Sequence, residues 1–130
     1  MKSLILLLAL CATCHAAPPD SFWRALHLVE SSGRTGPILG DYVNGKPQAL
    51  GPLQIHRGFH ADSRVAGPYE RVADLEYSKR VATAYFKRWA PEAFAKGDVM
   101  VLARVFNGGP RGHLNPATKG YGARVKAFSK

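Results

Sequence analysis

Apolar positions in this chain recur at helical spacing in several stretches, separated by segments where glycine, proline and polar residues break the pattern. Phe22, Ala25, Leu26 and Val29 predict an amphipathic helix that Asp20 and Ser21 can cap and that Ser31-Ser32-Gly33 stops. The stretch DLEYSKRVATAYFKRW sets Leu75, Ala82, Tyr85, Phe86 and Trp89 on one stripe, with Pro91 marking its end. DVMVLARVF begins at a capping Asp98, buries Val101, Leu102, Val105 and Phe106, and halts at Asn107-Gly108-Gly109-Pro110. A last helix is expected around Tyr121, Val125 and Phe128, despite Gly120 and Gly122.

The segments between these helices read differently. Residues 34–51 are rich in glycine and proline, and Tyr42-Val43 runs into Asn44-Gly45, the sequence signal of a two-residue hairpin turn. A small, irregular β-hairpin is expected, with Pro47 weakening its second strand. Pro52 suits the first position of a short helix through PLQIHRGF. No repeat or linker divides the chain. The expected fold is therefore a single α+β domain, mostly helical, over residues 18–130, with the hairpin inserted after the first helix.

Residues 1–17 read as an export signal: Lys2 is the positive start, LILLLAL the apolar centre and CHAA the small-residue cleavage site. The apolar run is too short to span a bilayer, so no stable membrane insertion is expected. Cys11 follows LAL, but Leu10 is not the small residue that lipid attachment favours. Cleavage would leave about 113 residues, enough for one hydrophobic core. Both cysteines, Cys11 and Cys14, would go with the signal, so the exported domain would hold together by packing alone. A secreted or periplasmic monomer is the resulting expectation.

The whole chain carries 18 Lys and Arg against 9 Asp and Glu, a net charge of +9, or +8 without Lys2. A basic exported protein is drawn to polyanions, among them cell-wall polymers, lipopolysaccharide and nucleic acid. Charge does not choose among them.

Glu30 closes the first helix, facing the negative end of the helix dipole and its unpartnered carbonyls. Burial by Trp23, Leu26 and Val29 would add desolvation, and both effects favour a retained proton of the kind a general acid needs. On position alone the balance favours an ordinary solvated acid, because structural acids outnumber catalytic ones. Asp41 follows Gly40 at the start of the hairpin, where an aspartate often closes a turn with its own side chain. Its alternative is a second carboxylate, eleven positions after Glu30. His56 and His60 are one helical turn apart, but no HExxH and no third ligand accompany them, so no metal or other cofactor is read. The Phe106–Gly112 segment, FNGGPRG, is either a helix stop or a glycine-lined loop that admits a polymer backbone. No nucleophilic elbow, phosphate loop or dinucleotide fingerprint is present.

Taken in order, VESSG, GD, ALGPLQIH and LARVFNGGPRG, followed by ATKGYGARV, resemble the lysozyme superfamily. The glutamate of ESSG, the GPxQI segment and the NGGPxG loop are similar to invertebrate-type lysozymes and small bacterial lysozyme-like proteins. They also echo the ES, GxMQI and AYNAG motifs of lytic transglycosylases. The resemblance runs from about Trp23 to Val125. It implies a lysozyme-like fold, Glu30 as catalytic acid, and Gln54, Asn107 and Gly108 as saccharide-binding residues. Tyr121 would pack near Glu30 or the substrate. Asp41 falls where the invertebrate pattern has its second carboxylate, although the stretch DYVNGKPQALG is longer than the usual link. Phe59-His60 replaces an expected aromatic pair, and Asp62 matches the acid after it. The lack of cysteines in residues 18–130 departs from the disulfide-rich animal proteins and points to a bacterial or phage-like branch.

The implied activity is cleavage of the β-1,4 bond between N-acetylmuramic acid and N-acetylglucosamine, with peptidoglycan glycan strands as partner and no nucleic acid expected. Water would attack in a muramidase, and the muramyl 6-hydroxyl in a transglycosylase. The alternative from another class is a non-catalytic wall-binding or polyanion-binding protein that keeps the fold.

Overall fold

The computed structural model describes residues 17–130; the export-signal reading therefore lies outside the described residues except at Ala17. Helix α1 (Asp20–Ser31) starts one residue earlier than its caps anticipate, because Pro19 presents the extended backbone of the cap position and its carbonyl accepts the Phe22 N–H at 2.9 Å. At the other end Ser32 turns left-handed (φ 57°), and the N–H groups of Ser32 and Gly33 close on the carbonyls of Leu28 and His27. That stop leaves Glu30 in the final turn.

Strands β1 (Leu39–Val43) and β2 (Lys46–Leu50) form the hairpin, with Val43 paired to Lys46 across Asn44-Gly45. Both turn residues have positive φ, 51° and 75°, as a type I′ turn requires. The sheet has a third strand that the pattern did not predict, β3 (Ile55–His56), antiparallel to β2 through Ala49–His56 and Leu50–Ile55. Pro47 opposes Tyr42 beyond the end of β3, where β2 has one neighbour, so its missing N–H is tolerated. The helix expected from Pro52 is displaced. Gln54 adopts φ 50°, which ends any helix there, and helix α2 (Arg57–Ser63) begins only after β3.

Helix α3 (Leu75–Trp89) is capped by Asp74, whose carboxylate accepts the Tyr77 N–H at 2.8 Å. It buries Tyr77, Val81, Ala82, Tyr85 and Phe86, whereas Trp89 of the expected stripe is exposed under the Arg88 guanidinium. Pro91 stops α3 and at once opens a short helix, α4 (Pro91–Lys96). Helix α5 (Val99–Gly108) starts at the capping Asp98 as expected, and buries Leu102, Ala103 and Val105; Val101 and Phe106 are only partly covered. Helix α6 (Lys119–Phe128) lies against α5 at Gly122, where a Cβ would come within 2.6 Å of Met100 Sδ. The glycine is what permits the close approach.

Phe22 and Leu26 of α1, Leu53, Phe86 of α3, Leu102 of α5 and Val125 of α6 are fully buried together, each worth roughly 1.5–3 kcal/mol on burial. The core thus ties α1, α5 and α6 together, and the sheet stands beside them. The C-terminal ends of α1 and α5, the first strand of the hairpin, β3 and α6 meet around one cleft.

Candidate active site

Five of the six residues singled out from the sequence, Glu30, Asp41, Gln54, Asn107 and Tyr121, line that single cleft of about 390 Å³. They arrive from separate elements, so the fold brings them together. Gly108 does not line it. A Cβ on Gly108 would lie 2.6 Å from Thr118 Cγ2, so this glycine serves the packing of the loop behind α5.

Glu30 is partly buried, and desolvation pushes its carboxyl from the ordinary 4.5 up to about 7. A hydrogen bond donated by the Tyr121 hydroxyl to Oε1 and the charge of Arg124 act against that rise, and the negative charge of Asp41 adds to it. Burial wins. Burial likewise pushes the Tyr121 phenol up, helped by the adjacent Glu30, so Tyr121 stays a donor. A carboxyl that is half protonated near neutral pH, with one oxygen held by a phenol, can deliver a proton to a bound oxygen.

Asp41 sits in β1 with φ 53°, a left-handed conformation that aspartate tolerates better than most residues. Its Oδ2 lies 2.8 Å from His56 Nε2, and both side chains are about half exposed. His56 comes from β3, the strand that the pattern missed, which is why its place beside Asp41 was not foreseen. The spacing of His56 and His60 is not used for a shared ligand: His60 Nε2 is 2.8 Å from the Tyr77 hydroxyl. No cluster of three potential metal ligands occurs among the described residues.

Gln54 also holds a left-handed backbone, and its amide nitrogen donates to the carbonyls of Ile38 and Gly51, both at 3.0 Å. Its Oε1 fills the space beside Gly40, which a Cβ there would overlap. Gln54 therefore lines the cleft while clamping the base of the hairpin that carries Asp41. Asn107 is exposed at the end of α5. Arg124, which sequence reasoning passed over, lies one helical turn after Tyr121 and completes the wall with Phe106, expected only as a core position and as the start of the FNGGPRG segment.

Two further cavities adjoin the cleft. A cavity of about 220 Å³ shares Gln54, His56, Phe106 and Asn107 with it, and another of about 330 Å³ shares Ala49 and His56.

Comparison with known proteins finds lysozymes similar in sequence and in fold. The chain is 32% identical over 106 residues to Lysozyme 1 of Crassostrea virginica, covering 80% of this chain and 56% of that protein. It is 29% identical over 126 residues to the lysozyme of Ostrea edulis, covering 95% and 89% of the two chains. The inhibitor-bound lysozyme of Meretrix lusoria shares the fold with a TM-score of 0.68 at 24% identity, over 86% of this chain and 91% of that one. The chain thus spans little more than half the length of Lysozyme 1. No protein-family model matches it.

A small antiparallel sheet beside a helical body is the fold that this chain shares with lysozymes. In sequence, the chain resembles the lysozymes of bivalves.

Proposed function

We propose that this protein is a muramidase, cleaving the β-1,4 bond between N-acetylmuramic acid and N-acetylglucosamine in peptidoglycan. The observation that carries the reading is the Glu30 carboxyl, raised to about 7 by burial in a cleft that Asp41, Gln54 and Asn107 also line. Glu30 gives its proton to the glycosidic oxygen as the bond from that oxygen to the sugar C1 breaks. Positive charge develops on the sugar ring. Asp41 supplies the second carboxylate of the cleft, opposing that charge, and a water completes the reaction by adding its oxygen to C1 and giving a proton to the Glu30 carboxylate, which restores the acid. His56 orients Asp41 through their 2.8 Å contact. The tight placing of such groups is what lowers the barrier, since a small misplacement costs much of the rate.

The relatives named lysozyme support attack by water over attack by the muramyl 6-hydroxyl. The basic charge of the chain suits an anionic wall substrate, and the export signal read in residues 1–17 suits action outside the cytoplasm. Mass spectrometry of digested peptidoglycan tests the reading. Reducing muramyl ends are expected; 1,6-anhydro ends would replace the muramidase with a transglycosylase, and no new ends would remove both.

A further inference from the structure

The cleft holds one feature that proton chemistry does not call for. Arg124 lines it beside Glu30 and Tyr121, one turn along α6 from Tyr121, with its guanidinium 5.9 Å from the Tyr121 ring. The residue is exposed, and among the described residues no carboxylate comes within 4.0 Å of its nitrogens. The other basic side chain that lines the cleft, His56, already faces Asp41 at 2.8 Å. A positive charge at this point also lowers the affinity of Glu30 for its proton, against the needs of an acid. The arrangement makes chemical sense if the partner of Arg124 arrives with the substrate.

We infer that Arg124 determines specificity, its guanidinium receiving a carboxylate of the lactyl arm on the muramic residue. The inference rests on the muramidase reading and sharpens it. Peptidoglycan differs from chitin by that arm. Its carboxylate is the lactate's own where the glycan is denuded and belongs to the stem peptide where the peptide remains. A guanidinium binds either through two parallel hydrogen bonds. Binding also neutralises the charge that faces Glu30, together with Tyr121, Asp41 and His56 the ionisable groups of the cleft. Glu30 then holds its proton more firmly when the right substrate is seated.

The test measures equilibrium binding and turnover separately, with oligosaccharides of equal length: denuded glycan, glycan with stem peptides, and chitin. Arg124→Gln is compared with the parent protein and with Lys126→Gln, which removes the same charge from α6 outside the cleft. A loss of roughly tenfold or more in affinity is expected for Arg124→Gln on the carboxylate-bearing ligands, with chitin binding within about twofold of the parent. Arg124→Lys should keep part of the preference. A loss confined to one of the two carboxylate-bearing ligands identifies which carboxylate is used and supports the assignment. Equal affinity of the parent for all three ligands, or an equal loss on all three in Arg124→Gln, overturns it. Absence of turnover with the binding preference intact would instead remove the muramidase reading and leave the assignment standing.

Discussion

The Tyr121 hydroxyl donates a hydrogen bond to Glu30 Oε1, joining α6 to the end of α1 across 91 residues of chain. The contact favours the charged carboxylate, so it moderates the rise in pKa that burial imposes. Tyr121→Phe should therefore raise the Glu30 pKa above about 7 and move the alkaline limb of the pH–rate profile upward. A carbon-13 NMR titration of the Glu30 carboxyl checks this without reliance on activity. An unchanged or lower midpoint would show that the phenol does not control the acid.

Burial of Glu30 has a consequence for stability. The folded protein binds this proton more tightly than the unfolded chain, so stability from this group is fully present below pH 4.5 and is lost as pH rises through about 7. Glu30→Gln removes that dependence. The variant should match the parent near pH 4 and exceed it at pH 8 by on the order of 1–3 kcal/mol in urea unfolding. A variant less stable than the parent at pH 8 would contradict the burial of an acid at this position.

The pair His56–Asp41 is half exposed, and exposed ion pairs contribute little to stability. His56→Ala should leave the unfolding free energy within about 1 kcal/mol of the parent. Its kcat should nevertheless fall by roughly tenfold, because Asp41 loses the partner that fixes its carboxylate. Unchanged kcat would show that Asp41 needs no such partner.

Gly40→Ala tests the clamp at the base of the hairpin. The added Cβ would overlap Gln54 Oε1, and Gln54 cannot move aside without loosening its bonds to Ile38 and Gly51. A loss of about 1–3 kcal/mol is expected in thermal or urea unfolding. Activity should drop with it, since the hairpin carries Asp41. Wild-type stability would mean that the Gln54 clamp is slack.

Helices were legible where a cap and a periodic face coincide, as at Asp98 and along α3, because local signals there agree with the packing. The burial of Trp89 was misread, since the stripe continues to the last residue of α3 while the core does not. Strand β3 was missed because two residues carry no period, and the Pro52 start signal pointed to a helix that the left-handed Gln54 forbids. The same local failure hid His56 as the neighbour of Asp41. Glu30 stood out because its helix-end position has a chemical meaning, and the resemblance of the flanking motifs added to it. Its contact with Tyr121 was expected only as general proximity. Arg124 needed the cleft itself, since one arginine among many in a basic chain carries no signal of its own.

The role of Glu30 is most directly measured by counting new reducing muramyl ends released from purified peptidoglycan by the parent protein and by Glu30→Gln under the same conditions. The expected result is steady release by the parent and a loss of at least about a hundredfold in the variant, the scale of a missing general acid. Equal release by both proteins, or none by the parent, would contradict the assignment of Glu30 as the acid that breaks the glycosidic bond.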